Sequence, residues 1–240
     1  MALYPLLRPL IFRLDAERAH HLSLAALSFL PGCRRAFDPV LETTVAGIRF
    51  PSPVGLAAGY DKDALVPDAL LSLGFGFVEV GTLTPLPQSG NPKPRLFRLA
   101  EDRAVINRMG FNNGGQAAAH ARLAHRARRG IVGVNIGANK DSSDRIADYA
   151  AGAALMADVA DYLTINISSP NTPGLRALQD KGALAALLQR TLAARGKDGP
   201  PVFLKVAPDL ERADIDDIAS VAIDHKLDAL IISNTTISRP

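Results

Sequence analysis

Tryptophan is absent from this 240-residue sequence, cysteine occurs once, and the aromatic residues together make up 5%. The lone Cys33 can form no intrachain disulfide, which fits a reducing compartment. Few aromatics and scattered basic residues are poor material for a base-stacking surface, so no nucleic-acid partner is expected. A net charge of +3 still favours anionic partners such as phosphates or acidic lipid. Histidines number five, at 20, 21, 120, 125 and 225, too scattered for a metal site, and none is expected. There is no H-E-x-x-H, no G-x-S-x-G elbow and no Walker A loop, which argues against metal hydrolysis and triad chemistry. "GFGFVEVG" (74–81) precedes a strand instead of following one, so it is no dinucleotide fingerprint.

Long hydrophobic runs are missing too. Arg8, Arg13, Asp15, Glu17 and Arg18 break the apolar start of the chain well short of the ~18 residues that a spanning helix needs. Leu30-Pro31-Gly32-Cys33 loosely resembles a lipoprotein cleavage site, but the acidic residues upstream and the proline argue against export. Leu7, Leu10, Ile11 and Leu14 share one helical face; Ala19, Leu22, Ala26 and Phe29 share another, before Pro31-Gly32 stops the helix. Two short amphipathic helices with flanking arginines suit either an anionic bilayer surface or a cap on the protein's own core. The pattern leaves both open.

Composition is otherwise that of a globular protein, with 48% hydrophobic residues and enough length to bury a sizeable core. "LETTVAGIRFPSPVG" reads as a hairpin bent at Gly47. Nearly continuous apolar runs then recur at 54–59, 76–82, 131–137, 162–168, 202–208 and 229–235, as in parallel strands covered on both faces. Helical patterns lie between them: Gln116 to Arg129 ended by Gly130, Ser143 to Asp158, a stripe of Leu184, Leu187, Leu188 and Leu192, and another of Ile215, Ile218, Ala219 and Ala222. Residues 83 to 114 form a long Pro-, Gly- and Asn-rich insertion of the kind that is usually functional. The rhythm predicts βα units, compatible with an open doubly wound sheet or an eightfold (β/α) barrel.

Four successive strands finish with a polar side chain: Asn135, Asn166, Lys205 and Asn234. A single asparagine there satisfies a local turn, but in a barrel all four face one mouth. An ammonium such as Lys205 in a buried strand is costly without an anion or an electron-rich ligand. "NISSPNT" (166–172) adds amides and hydroxyls at the same mouth. Such a neutral, amide-rich site suits a planar ligand with ring amides and carbonyls. It has no strong redox group, so a cofactor must carry the hard chemistry.

The segments "GLAAGYDKD" (55–63), "EVGTLTPLPQSGNPKPRLFRL" (79–99), "INRMGFNNGG" (106–115), "VNIGANK" (134–140), "NISSPNTPGLR" (166–176), "FLKVAPDL" (203–210) and "SNTTISRP" (233–240) resemble the membrane-associated, quinone-using class of the dihydroorotate dehydrogenases, from about residue 40 onward. The resemblance implies a (β/α)8 TIM barrel holding FMN, the oxidation of (S)-dihydroorotate to orotate in pyrimidine biosynthesis, and a membrane quinone as acceptor. It implies Ser169 as the base for the C5 proton. Lys62, Asn107, Arg108, Met109, Gly110, Phe111, Asn166, Asn171, Asn234 and Thr235 would hold the substrate. Ala57, Ala58, Gly59, Tyr60, Asp61, Lys62, Thr82, Asn135, Asn166, Lys205 and Ser233 would hold the flavin. The soluble class carries a cysteine at the base position and lacks the N-terminal helices, so serine here favours the quinone class.

The resemblance also tips residues 1–33 toward an N-terminal extension with quinone and anionic lipid as partners, at the cytoplasmic face of the cell membrane. Residues 40–240 are expected to form the flavin barrel, incomplete because only six strands can be counted before Arg239-Pro240. A fragment lacking the last two βα units would also lack the usual phosphate-binding loops. Two alternatives remain: a soluble-acceptor flavin barrel acting on a related pyrimidine, and an inactive scaffold.

Overall fold

The computed structural model describes residues 4–33 and 35–238; the expected end at Arg239-Pro240 lies outside them. Five parallel strands form the main sheet in the order β3 (Phe77–Leu83), β6 (Ile131–Ile136), β7 (Tyr162–Asn166), β8 (Val202–Val206) and β9 (Ala229–Ile232). Successive pairing of strands separated by helices is the β/α rhythm that the sequence predicts. Helices α3 (Pro67–Ser72), α4 (Gln116–Ala124), α5 (Arg145–Met156), α6 (Lys181–Arg195) and α7 (Arg212–Asp224) supply the crossovers.

The first expected strand, 54–59, runs beside β3 through backbone bonds at Val54, Leu56 and Gly59, but only Leu56 to Val78 makes a regular bridge. Its run of Gly55, Ala57, Ala58 and Gly59 has little β-branched bulk to hold a pleated surface. Helix α4 stops at Ala124, short of the expected Arg129, and α5 is capped by Asp144, whose carboxylate accepts from the Ala147 N–H. In α7, Ile218 and Ala222 are buried but Ile215 is exposed. The insertion at 83–114 contains an antiparallel hairpin, β4 (Leu96–Leu99) with β5 (Ala104–Asn107). The predicted bend between β1 (Thr43–Val45) and β2 (Ile48–Phe50) is made by Ala46 and Gly47, both at positive φ, as a two-residue hairpin turn requires.

Alternation along the strands sorts side chains onto two faces. Val132, Val134, Leu163, Ile165, Leu204 and Val206 join the core beneath the helices, where Tyr149, Leu184, Leu187 and Leu188 are also buried. Tyr162 and Phe203 point the other way and close the base of the sheet's inner side together with Phe50 of the β1–β2 hairpin. The rings of Tyr162 and Phe203 stack at 4.7 Å, and Phe50 meets Phe77 edge-on at 5.0 Å. Gly133 is required there: a Cβ on it would lie 2.1 Å from the Tyr162 ring.

Helices α1 (Tyr4–Ile11) and α2 (Ala16–Ser28) precede this body. Helix α2 buries Glu17 and Leu24, whereas Leu22, Ala26 and Phe29 of the expected apolar face are exposed. Among the described residues, no helix is long and apolar enough to cross a membrane.

Candidate active site at the strand ends

Above the aromatic base, the inner side of the sheet opens into a cavity of about 490 Å³. Thr82 of its first strand and Ser233, just past the end of its last, line the same space, so the sheet curls around it. The 57–62 segment contributes Ala57, Ala58, Gly59, Tyr60 and Lys62, the β5 end and the loop after it contribute Asn107, Met109, Gly110 and Phe111, and β7 with its loop contributes Asn166, Ser169 and Asn171. Lys205, Asn234 and Thr235 complete the mouth, with His20 reaching in from α2 and Leu96 from β4.

Among the described residues, no carboxylate lines this cavity, while two lysines do. Lys205 is 9% exposed, and neither it nor Lys62 forms a hydrogen bond or ion pair among the described residues. Burial pushes the Lys62 ammonium below its ordinary pKa; Glu17 opposes that shift and Arg95 adds to it. Burial, then the charge of Lys62, lowers His20 to about 4, so its imidazole is neutral at pH 7. The His20 ring meets Tyr60 edge-on at 4.9 Å, and the Tyr60 hydroxyl lies 2.7 Å from Ser23 Oγ. These contacts make α2 one wall of the site.

Behind the lining, side chains bond to each other. Thr82 Oγ1 donates to Asn135 Oδ1 at 2.6 Å, and Asn166 Nδ2 donates to both Thr82 Oγ1 and Asn135 Oδ1, at 3.0 and 3.2 Å. Ser168, fully buried, donates its hydroxyl to Asn166 Oδ1 at 2.7 Å and accepts from Asn234 Nδ2 at 3.0 Å.

Ser169 is also buried, and its Oγ accepts from the Asn171 N–H at 3.3 Å. Its loop is held from several sides. Arg176 donates to Ser168 O and pairs with Asp209, Arg145 donates to Pro173 O, and Asn91 Nδ2 donates to Asn171 O and Arg108 O. Asn91 O in turn accepts from Arg95, whose guanidinium also grips Glu17 of α2 at 2.7 Å.

Seventeen of the residues named from the sequence thus line one cavity; three do not. Arg108 points outward, lying over the Phe97 ring, because the Pro94 carbonyl accepts two bonds from its fork. Asp61 is fully buried with its carboxylate turned onto the N–H groups of Leu65 and Val66. Asn135 stands one layer back, behind Thr82 and Asn166. Conversely, sequence reasoning passed over His20, Leu96, Ser168 and Glu79. For Ser168 a signal existed, since the alternation that turns Asn166 inward turns Ser168 inward too.

A family model described as dihydroorotate dehydrogenase matches residues 40–240. The chain is 66% identical over 244 residues to a protein of Sphingopyxis alaskensis named dihydroorotate dehydrogenase (quinone), covering 100% of this chain and 68% of that one. It is 67% identical to the protein of the same name from Erythrobacter litoralis, over 99% and 70% of the two. Among solved structures, ligand-free DHODH from Eimeria tenella superposes with a TM-score of 0.88 at 42% identity, over 94% of this chain and 70% of that one.

Proposed function

The chain belongs to the dihydroorotate dehydrogenase family, in its quinone class, and from that premise we propose that the strand-end cavity is where dihydroorotate is oxidised to orotate beside FMN. The carrying observation is the charge of the lining: two unpaired lysines and no acid, around amides and hydroxyls. That set fits an anionic, flat pyrimidine acid, because Asn donates and accepts toward ring amides while an ammonium meets a carboxylate. It fits a flavin as well. Gly59 sits at φ +113 with open space where a Cβ would stand, leaving backbone accessible to a flat ring, and Lys205 supplies an unpaired cation next to it.

A flavin held against these residues would supply the acceptor for the C6 hydride and the route by which electrons reach a quinone. The residues of the chain do the rest. Lys62 holds the substrate carboxylate, and the arriving anion offsets the burial that lowers the pKa of its ammonium. Asn107, Asn171, Asn234 and Thr235 hold the ring, with Met109, Gly110 and Phe111 packing around it. Ser169 takes the C5 proton; a hydroxyl is a weak base, so the buried setting and the tethered loop must keep it aligned and water excluded. Ala57 to Tyr60, Thr82, Asn166, Lys205 and Ser233 form the flavin side, while Asn135 and the Asp61 side chain act from behind.

Residues 1–33 form the extension that meets quinone and an anionic lipid surface at the cytoplasmic face of the cell membrane, and residues 40–240 the flavin body. The support for this is that Leu6, Leu10, Leu22 and Phe29 are exposed, in a segment that also carries Arg8, Arg13 and Arg18.

Purified protein examined for flavin absorbance, then mixed anaerobically with dihydroorotate or dihydrouracil, tests the reading. Bleaching by dihydroorotate alone is expected. A protein that fails to take up FMN, or bleaching by dihydrouracil as fast as by dihydroorotate, overturns it.

A further inference from the structure

Glu79, in the middle of β3, is 4% exposed and forms no ion pair among the described residues. Its Oε1 accepts from Asn135 Nδ2 at 2.8 Å and its Oε2 from Thr164 Oγ1 at 2.9 Å. It lines a second cavity beneath the first, of about 420 Å³, into which Lys205 also faces. Withdrawing an acid from water is costly even when hydrogen-bonded, and none of the steps above uses it.

What a carboxylate contributes is direction. Both of its oxygens only accept, so Asn135 must turn its NH₂ to Glu79 and its Oδ1 away. That Oδ1 then accepts from Thr82 and from Asn166. Asn166, with both N–H groups spent on Asn135 and Thr82, presents its Oδ1 to the Ser168 hydroxyl and N–H. Ser168 has given its proton away and so accepts from Asn234, whose Oδ1 takes the Thr235 N–H at 2.7 Å. Each link runs the same way, from Asn234 at the cavity back to the acid on β3. Amides and hydroxyls are reversible; the acid at the β3 end of the row is not, and the backbone N–H groups of Ser168 and Thr235, which can only donate, favour the same direction from the other side.

We propose that Glu79 is a positioning residue that fixes the direction of the Asn135–Asn166–Ser168–Asn234 row and so the donor–acceptor face that the site presents to a pyrimidine. The direction of the row follows from the chain's own residues; only the identity of the ligand rests on the preceding function.

Glu79→Gln keeps the shape and can keep the bonds with Asn135, Thr164 and the Tyr162 hydroxyl, but a carboxamide fits in either orientation and no longer dictates the row. In the ligand-free protein, hydrogen exchange of the Asn166 side-chain NH₂ should become about tenfold faster, and orotate binding to the flavin-loaded protein about tenfold weaker. Glu79→Gln combined with Asn135→Asp moves the acceptor-only group one link along: the new amide on β3 donates to the new carboxylate on β6, which again accepts from Thr82 and Asn166. Both readouts should then return to within about threefold of the parent. An unchanged exchange rate in Glu79→Gln overturns the proposal, as does a faster rate that the second substitution fails to restore, since a merely structural loss would not be rescued by moving a charge. A parent protein with the expected exchange behaviour that binds no orotate would count against the proposed substrate while leaving the role of Glu79 standing.

Discussion

Leu187 in α6 is fully buried, whereas Leu10 in α1 is 64% exposed. The contrast runs through the two regions they represent. Around the sheet, apolar side chains interlock on the outer face and aromatics fill the inner base, so the strand ends are set by packing. The N-terminal helices instead hold much of their apolar surface outward and are fastened by polar contacts: Glu17 to Arg95, Ser23 to Tyr60, and Arg98 to Leu14 O. Arg8 and Arg98 both lie 4.8 Å from the Phe12 ring. A region attached by charge and hydrogen bonds leaves its apolar atoms for something else to cover, and Glu17 makes its attachment sensitive to acid.

The largest effect should come from the packed side of this contrast. Ser169→Ala is expected to slow flavin reduction by dihydroorotate by roughly 10²- to 10⁴-fold with FMN retained; stopped-flow absorbance at an unchanged flavin content decides it, and a parent-like rate removes Ser169 from the mechanism. Leu187→Ala should lower global stability by about 2–5 kcal/mol without loosening α2 selectively, as urea unfolding and hydrogen exchange would reveal.

Acid should pick out the fastened side. Arg95 beside it holds the Glu17 carboxyl down at about 2, against an ordinary value of 4.5, despite burial. A carboxyl with a depressed folded pKa contributes stability above its unfolded value, and that contribution is lost as pH falls from 4.5 toward 2, here on the order of 3 kcal/mol. His20, lowered from 6.5 to about 4, acts in the same sense: the unfolded chain takes up the proton first, so stability drains between those values. Proteolysis across this range should cut in α2 before α6; simultaneous cutting would erase the distinction. The smallest stability effect belongs to the outward face. Leu10→Ser with Phe29→Ser should change stability within about 0.5 kcal/mol yet weaken sedimentation with anionic vesicles, and unaltered co-sedimentation would deny that face to the membrane.

Much of the strand framework was legible because a buried parallel strand is apolar nearly throughout, so that Asn166, Lys205 and Asn234 stood out against it. The first strand is irregular for a related reason: glycine and alanine count as apolar without supplying the bulk that holds a long ladder. In α2, apolar periodicity favours the face of Ala19, Leu22, Ala26 and Phe29, but the structure buries Glu17. Its partner Arg95 lies 78 residues away, a distance over which local pattern carries no information. Glu79 was hidden similarly, since a strand acid acquires meaning only beside Asn135 and Thr164 from neighbouring strands.

The guanidinium of Arg95 has one further consequence. Its Nε and one terminal nitrogen go to the acid on α2 and the other terminal nitrogen to the carbonyls of Ser89 and Asn91, while Asn91 steadies the serine loop. One planar group is thus a rivet through two plates. If the proposed function holds, any replacement of it would disturb electron exit and proton removal together, and a defect in such a variant could be assigned to neither half-reaction alone.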